Sequence, residues 1–430
     1  MNLKWRYKMF LEELDMNFKS VTLGEISIDN KGDYGIGASA VEYSENLPTY
    51  LRITDINDDG TLNKTGMKSV DDENANKYIL QPNDIVFART GNSTGKSYFY
   101  ESSDGELVYA GFLIKFSLDP LKVNPRYMKY YTLSSDYKGW INSFNTGSTR
   151  GNINAKTYAN MSLNLPSRAQ QNLLVDTLEP LTNKIDLNNQ TISSLEEIAS
   201  TLFKHWFVDF EFPDEDRNPY KSSGGKMVVS EIGEIPEGWR ISSLPEIANY
   251  QNGLAMQKFR PKGEASLPVI KIKELSQGFV DTNSERCDID IKDSVTIYNG
   301  DVIFSWSATL LVKIWTGGNG GLNQHLFKVT SDEYPKWFYY YWTKKHIDNF
   351  INIAKDKATT MGHINKKHLE QARVLIPNAN QMDLFDEIMT PFVDQLLNIG
   401  LENETLKELR DTLLPKLLSG EIELPTETEV

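Results

Sequence analysis

The chain has 430 residues, of which 40% are hydrophobic and 24% charged, a composition that is typical of globular proteins and excludes a disordered, collagen-like or disulfide-stapled one. Its 45 basic and 59 acidic residues give a formal charge of −14, so uniform basic charge cannot hold it to nucleic acid, and any such contact must be local. At about 150 residues per domain, the length predicts two or three domains.

Cysteine content and hydropathy indicate the cellular compartment of the protein. Cys287 is the only cysteine, which excludes an intrachain disulfide and a cysteine-built zinc site. The first residues lack the apolar run of a signal peptide, and no stretch of about 18 apolar residues follows. We therefore expect a cytoplasmic protein that does not bind a membrane.

The second half of the chain repeats the first half. Thr149-Arg-Gly-Asn-Ile-Asn154 matches Thr360-Met-Gly-His-Ile-Asn365, and the same offset of 211 residues links Leu163–Pro166 to Val374–Pro377. Asn83–Phe87 likewise matches Asn299–Phe304. Matches that keep one order over half the chain indicate a tandem duplication rather than chance.

Each copy has the same internal plan. A globular segment with short β-type runs is followed by a long helical pattern in which apolar residues alternate spacings of three and four. In chain order we predict one globular domain at 1–166 including an N-terminal segment at 1–17, a helix within 167–212, a polar linker at 213–238, a second globular domain at 239–377, a helix within 378–424, and a tail at 425–430.

The spacing of the two helical patterns predicts how they pair. The seams run from Leu178 to Trp206 and from Met389 to Leu417, with the average period of 3.5 that is typical of coiled coils. An antiparallel intrachain pair would place Asn188 against Asn403 and fix the register, although either Asn alone is also tolerated as a polar seam position. We predict a mixed α/β (α+β) fold with two duplicated globular domains separated by an antiparallel two-helix coiled coil and related by pseudo-two-fold symmetry.

Motifs that suggest catalysis are weak. Gly91 to Ser97 resembles a P-loop that presents Lys96, but three residues separate its glycines where the motif needs four. The five His form no recognisable metal-ligand spacing. Because no catalytic group is duplicated along with the domains, we predict a binding function with no catalytic residue, metal or cofactor in this chain.

The duplicated copies share locally basic segments. Residues 126–156 hold five Lys or Arg against one Asp, and residues 336–373 hold eight against three acidic residues. Such patches in an acidic chain suit DNA, whose base edges Arg and Asn recognise. A solvated surface charge remains the alternative for each one alone, and a helix cap is favoured for Asn154 and Asn365. The candidate DNA-binding residues are Arg52, Arg89, Lys96, Arg150 and Asn152 in the first copy, and Lys271, Lys273, Lys313, His363 and Lys366 in the second.

Several segments resemble the specificity subunits of type I restriction–modification enzymes. They are Leu202–Phe210, Ser230–Trp239, Leu413–Ile422 and the Thr146–Asn154 stretch, in the order and duplication that this family shows. The resemblance implies two target recognition domains that each read half of a split double-stranded DNA sequence, with a coiled coil that sets the gap. It departs from the family pattern at Thr359–Met361, so the role of Arg150 need not be duplicated.

The resemblance also implies partners. The subunit itself would be non-catalytic and would bind two methyltransferase subunits, which use S-adenosylmethionine, and motor–nuclease subunits, which use ATP and magnesium. The segments 167–209 and 378–418 would then be docking surfaces, with a buried intrachain role as the alternative for each candidate residue. The docking candidates are Trp206, Phe207, Phe210 and Leu417. Two alternative hypotheses for the whole chain are a P-loop NTPase and a coiled-coil scaffold that does not bind DNA.

Overall fold

The computed structural model describes residues 18–422 with gaps at 65, 145–150, 282 and 357–363, and gives only the backbone of Lys355 and Asp356. The chain divides into a first unit, formed by residues up to 183 and from 408 onward, and a second unit, formed by residues 184–407. Each unit contains one globular domain and a portion of two long helices. In the part of the chain described, no helix has the length and apolar character needed to cross a membrane.

The globular domain of the first unit is built from short strands and short helices. Its strands are β1 (Lys19–Thr22), β2 (Asp33–Tyr34), β3 (Ala40–Val41), β4 (Thr49–Leu51), β5 (Lys68–Val70), β6 (Asp84–Ala88), β7 (Ser97–Phe99), β8 (Leu107–Tyr109), β9 (Leu113–Ser117) and β10 (Ser162–Leu165). Its helices are α1 (Pro125–Tyr131), α2 (Ser135–Asn142) and α3 (Ala155–Ala159). The sheets have the orders β2-β9-β6-β7, β3-β5-β4-β8 and β1-β10.

The globular domain of the second unit repeats this plan. Its strands are β13 (Arg240–Ser243), β14 (Asn249–Asn252), β15 (Leu267–Ile270), β16 (Arg286–Cys287), β17 (Thr296–Ile297), β18 (Val302–Ser305), β19 (Leu311–Ile314), β20 (Gly320–Leu322), β21 (Leu326–Thr330) and β22 (Arg373–Ile376), following a hairpin of β11 (Met227–Ser230) and β12 (Gly233–Pro236). Its helices are α5 (Leu244–Ile247), α6 (Ile272–Gln277), α7 (Lys336–Lys345), α8 (Ile347–Asp356) and α9 (Lys366–Gln371).

Strand order confirms the duplication. The antiparallel sheet β14-β21-β18-β19 repeats β2-β9-β6-β7. In both sheets, the strand that comes first along the chain lies at an edge and pairs with the strand that comes last along the chain. Each domain also has a mixed sheet with one parallel pair, β4 with β8 and β15 with β20. The pairs β1-β10 and β13-β22 then join the start of each domain to its end.

The two long helices are α4 (Arg168–Phe207) and α10 (Ala379–Ser419). Ser167 and Gln170 form the hydrogen bonds of a capping box at the start of α4. At the start of α10, Asn378 Oδ1 accepts from the Gln381 amide at 3.0 Å, and Gly420 ends the helix with a φ of 72°. Both helices lie within the ranges that the apolar spacing predicts.

Contacts within each unit show that α4 and α10 run antiparallel. In the first unit, Leu178 of α4 belongs to the same core as Leu414 and Leu417 of α10. In the second unit, the ring of Trp206 stacks on Phe385 with the centroids 4.6 Å apart. Later residues of α4 therefore meet earlier residues of α10, as a coiled-coil pair in opposite directions requires. The predicted mixed fold with paired antiparallel helices is confirmed.

The predicted linker at 213–238 is partly regular structure. It contains the β11-β12 hairpin, in which Met227 pairs with Pro236 and Ser230 with Gly233. At its edges, the buried ring of Phe212 stacks on Trp239 at 5.1 Å. The polar, turn-rich composition of 213–225 predicts a linker, but the short apolar run Met227–Val229 that follows it forms the first strand of the hairpin.

Candidate nucleic-acid interface

In the first domain, the segment after the 145–150 gap pairs with the residues that follow β6. The Ile153 amide donates to the Arg89 carbonyl at 2.9 Å, and Thr90 forms a β-bridge with Asn152. The Thr94 hydroxyl donates to the Gly151 carbonyl at 3.0 Å. These contacts place Arg89 beside the exposed Asn152, so the fold brings together two of the predicted residues.

Arg89 packs on the aromatic ring of Tyr34 and is joined to Phe112 through the backbone. Its guanidinium carbon lies 4.9 Å from the ring centroid of Tyr34, and its backbone amide donates to the Phe112 carbonyl at 3.0 Å. Tyr34 and Phe112 are 42% and 59% exposed, so both rings are open to solvent. A guanidinium on the face of a partly exposed ring is a surface that suits nucleic acid, since Arg recognises guanine edges and rings stack on bases.

Arg89 also carries an unsatisfied donor. Its Nε is buried and has no hydrogen-bond partner among the described residues. A buried donor without a partner costs about 1–3 kcal/mol, so such a group in a native fold calls for an explanation. A ligand that reorients the guanidinium would supply the missing acceptor.

The second domain has the same backbone contacts with different side chains. The Ile364 amide donates to the Trp306 carbonyl at 3.0 Å, and the Trp306 amide donates to the His325 carbonyl at 3.3 Å. The Trp306 indole donates to Asn252 Oδ1 at 3.2 Å, and its ring lies 5.7 Å from that of His325. Trp306, His325 and Asn252 therefore occupy the positions of Arg89, Phe112 and Tyr34.

Tyr34, Arg89 and Phe112 form one strand-end cluster, and Asn252, Trp306 and His325 form the other. A glycine fixes the first strand of each cluster. A Cβ on Gly35 would lie 2.3 Å from the Ala110 carbonyl oxygen, and one on Gly253 would lie 2.1 Å from that of Asn323. Only glycine permits this close approach of two backbones. It places the preceding residue, Tyr34 or Asn252, beside the rest of its cluster.

Arg52 and Lys96, the other predicted cations of the first domain that the structure describes, bond to carboxylates of their own domain. Both carboxylate oxygens of Asp55 accept from the Arg52 guanidinium, at 2.9 and 2.6 Å, and these hydrogen bonds raise the pKa of Arg52. Lys96 Nζ lies 2.9 Å from Asp58 and donates to the Ile56 carbonyl at 3.1 Å. A phosphate would have to displace these carboxylates, which is easier for Asp58, exposed and worth about 0–1 kcal/mol as an ion pair, than for the buried Asp55.

The predicted lysines of the second domain are similarly engaged. Lys271 and Lys273 lie 2.6 Å from carboxylate oxygens of Glu285 and Asp281. Lys313 Nζ donates to the Ser276 carbonyl at 2.7 Å, and burial lowers the pKa of Lys313. Lys366 is exposed at the start of α9. Contact of these lysines with DNA stays a prediction, and the predicted Arg150 and His363 lie outside the described residues.

Ion pairs also reduce the charge of the basic segments. Glu101 bonds both Arg126 and Lys129, and Glu179 bonds Arg126 as well. In the second unit, Lys344 lies 3.0 Å from Glu196 and Arg373 lies 3.0 Å from Glu231. The excess of basic residues counted along the sequence therefore overstates the charge that these surfaces present.

The structure does not support the P-loop alternative. The segment Gly91–Lys96 connects β6 to β7, which pair antiparallel with Phe87 opposite Ser97. A P-loop precedes a helix, whose N-terminus completes the phosphate site. A hairpin loop has no such helix, and the Lys96 ammonium is held by Asp58 and Ile56 as described above.

Asn188 and Asn403 lie in contact within the second unit. Asn188 Nδ2 donates to Asn403 Oδ1 at 2.9 Å and to Glu402 Oε2 at 2.8 Å, while Asn403 Nδ2 donates to Asn189 Oδ1 at 2.9 Å. Lys184 adds a bond to Asn188 Oδ1 at 3.0 Å. Hydrogen bonds from Asn188 and Lys184 lower the pKa of Glu402. The contact is the one that the periodicity predicts, and its role in selecting the register stays a prediction.

The residues predicted to dock partners are packed inside the units. Trp206, Phe207, Phe210 and Leu417 are 3%, 2%, 9% and 7% exposed. The ring of Phe207 lies 5.3 to 6.0 Å from those of Trp239, Trp337 and Phe385. Side chains this buried leave little surface for a partner subunit. The structure therefore favours the alternative, in which these residues pack within the chain.

Sequence reasoning missed five residues of the two clusters. They are Tyr34, Phe112, Asn252, Trp306 and His325. The signal was present, because extending the match of Asn83–Phe87 with Asn299–Phe304 by two residues pairs Arg89 with Trp306. A search for identical residues passes over the pair, since the side chains differ while the backbone contacts agree.

Comparisons with known proteins agree with this duplicated architecture. A family model described as the type I restriction modification DNA specificity domain matches residues 17–197 and 236–411. The HindI specificity subunit of Haemophilus influenzae is 22% identical over 407 residues, which cover 80% of this chain and 88% of that protein. The MjaIX specificity subunit of Methanocaldococcus jannaschii is 26% identical over 305 residues, covering 69% and 68%.

Among solved structures, the S subunit of a type I restriction–modification system from M. genitalium is similar. It is 15% identical with a TM-score of 0.47, covering 94% of this chain and 96% of that one. The two matches of the family model account for most of the chain and coincide with its two globular domains and adjoining helix segments. The chain therefore belongs to the family of type I restriction–modification DNA specificity subunits, which are non-catalytic DNA-recognition subunits.

Proposed function

We propose that this chain reads a split double-stranded DNA sequence for a type I restriction–modification assembly, with one globular domain on each half-site. The observation that carries the proposal is the duplicated strand-end cluster within two copies of the family domain. Both clusters expose groups that recognise base edges or stack on bases, and the two sets differ, as an asymmetric target requires.

A methylation map tests this proposal. The chain would be expressed in cells with its methyltransferase partner, and methylated adenines in the genomic DNA would be mapped. We expect a split motif with an unread gap between two different half-sites. A map with one continuous motif, or without dependence on this chain, would contradict the proposal.

A domain exchange tests whether each domain reads its own half. Residues 18–166 would be replaced by the equivalent domain of a relative with a known target. We expect the half-site read by the first domain to change and the other to stay. If both half-sites change, or neither does, the two domains do not recognise their half-sites independently.

The gap between the half-sites is a further part of the proposal. Seven residues, which make two turns and about 10 Å of helix, would be inserted into both α4 and α10 to preserve the seam. We expect the unread stretch to lengthen in an active assembly. An unchanged gap would mean that the long helices do not set it.

We also propose that methyltransferase and motor–nuclease subunits bind the long helices and hold the S-adenosylmethionine, ATP and magnesium of the assembly. The docking surface would be formed by apolar side chains that remain exposed on these helices, such as Leu187, Ile198 and Leu384 at 57%, 53% and 37%. Leu187→Asp with Ile198→Asp should reduce copurification of the methyltransferase, and Ser194→Asp on the same helix is the matched control.

A scaffold that does not bind DNA is the remaining alternative. Binding of the whole assembly to duplex DNA would be measured over a range of salt concentrations. A sequence-reading subunit should give binding that weakens steeply with salt, because phosphate contacts release counterions. If the chain were only a scaffold, the partner subunits should bind DNA equally well with and without it.

A further inference from the structure

The two strand-end clusters are equivalent by backbone geometry rather than by side-chain identity. Besides the contacts of Arg89 and Trp306, the Ala110 amide donates to Leu51 at 3.0 Å where the Asn323 amide donates to Ile270 at 3.1 Å. Parallel β-bridges join Ile36 to Ala110 and Leu254 to Asn323. Each residue of one cluster therefore has a defined counterpart in the other.

The side chains at these equivalent positions differ in their polar groups. A cation stacked on a phenol ring in the first domain corresponds to an indole bonded to an amide in the second. An exposed phenyl ring, Phe112, corresponds to an imidazole, His325. Because the same backbone forms in both copies, folding does not dictate which side chains occupy these positions.

Both clusters also contain a polar atom that the described part of the chain leaves without a partner. In the first it is Arg89 Nε, and in the second it is His325 Nδ1. Buried polar atoms in native folds are almost always hydrogen-bonded. The two nitrogens belong to different positions of the clusters, Arg89 matching Trp306 and His325 matching Phe112, but each cluster holds one donor or acceptor that a bound ligand could satisfy.

We propose that these clusters set the base specificity of the two half-sites, the first through Arg89 supported by Tyr34 and Phe112, and the second through Asn252 and His325 supported by Trp306. This inference rests on the proposed function and names the residues that carry it out. The two parallel N–H donors of the Arg89 guanidinium match the O6 and N7 acceptors of guanine. The Trp306 indole fixes Asn252 Oδ1, and an oriented Asn amide matches the N6 and N7 edge of adenine.

The test uses the complete methyltransferase assembly with single variants and a map of methylated adenines for each. Arg89→Ala should relax one position of the first half-site, with a loss of discrimination of about ten- to hundredfold there, and leave the second half-site unchanged. Asn252→Ala and His325→Ala should relax only the second half-site. Lys77→Ala, an exposed residue of the first domain that bonds only Asn74 among the described residues, is the matched control.

Each outcome of this test decides the inference. If the wild-type assembly gives a split motif and Arg89→Ala methylates the same motif with the same discrimination, the inference is wrong. Equal weakening of both half-sites would also overturn it, because that is the result of a lost phosphate contact. If Arg89→Ala fails to assemble, Arg89→Lys must assemble and relax the first half-site alone. A wild-type map without a split motif would refute the proposed function instead.

Discussion

The helix caps and the strand-end clusters are both duplicated, but only the caps keep their side chains. Asn154 Oδ1 accepts from Thr157 at 2.9 Å, and its counterpart Asn365 accepts from His368 at 3.2 Å. In the clusters, Arg89 and Trp306 share backbone contacts and nothing else. The side chains that cap a helix of their own domain stay the same, whereas the partly exposed side chains of the clusters differ.

This contrast separates residues by what constrains them. An Asn cap satisfies a backbone donor of its own helix, so any replacement costs stability wherever the domain is used. The identity of a cluster residue at the end of a strand is set instead by its cluster neighbours and by what binds there. Variants of the first kind should change stability, and variants of the second kind should change recognition.

The largest effect on stability is expected at Phe207. Its side chain is 2% exposed and packs among aromatic rings of the second unit. Phe207→Ala should lower the free energy of unfolding of this unit by about 3–5 kcal/mol, because it removes buried surface and leaves a cavity. Chemical denaturation of the purified chain measures this change.

The control for Phe207 is Leu187, which is 57% exposed on the same helix. Leu187→Ala should change the free energy of unfolding by no more than about 0.5 kcal/mol. If Phe207→Ala instead left stability unchanged and weakened binding of a partner subunit, the residue would belong to a docking surface after all.

The amide pair should give the next largest effect. Asn188→Ala leaves the 4% exposed Asn403 without its main partner, at a cost of about 1–3 kcal/mol. A double-mutant cycle with Asn403→Ala measures the coupling between the two amides. Cys replacements at 188 and 403 should crosslink, whereas a pair at 188 and 396, one heptad away, should not.

How far the sequence predicted this molecule depends on the range of each interaction. Periodicity located both long helices and the Asn188–Asn403 contact, because the spacing along a helix determines which residues share a face. It could not identify the carboxylate partners of the lysines, since Lys96 and Asp58 are brought together only by the fold. The strand-end clusters escaped for the same reason, since Tyr34, Arg89 and Phe112 lie at the ends of three separate strands, β2, β6 and β9.

The matched caps are expected to show a smaller effect that is equal in the two domains. Asn154→Ala and Asn365→Ala should each lower the free energy of unfolding of their unit by about 1 kcal/mol, since each removes a cap. The methylated sequence should be the same for both variants. A change in either half-site would place that Asn in the recognition surface. The distinction between helix caps and strand-end clusters would then not hold.

The smallest effect concerns the pH dependence of the helix pair. The folded protein lowers the pKa of Glu402 below its usual value of 4.5, chiefly through the hydrogen bond from Asn188 and then that from Lys184. A carboxyl with a lowered pKa stabilises the folded state above its unfolded pKa, and this contribution is lost as the pH falls through the folded value. Glu402→Gln should therefore reduce the loss of stability between pH 7 and acid, measured by denaturation at a series of pH values. Glu197→Gln, which removes an exposed carboxylate from the partner helix, is the control. An equal reduction in both variants would show that net charge, and not this contact, gives the helix pair its acid sensitivity.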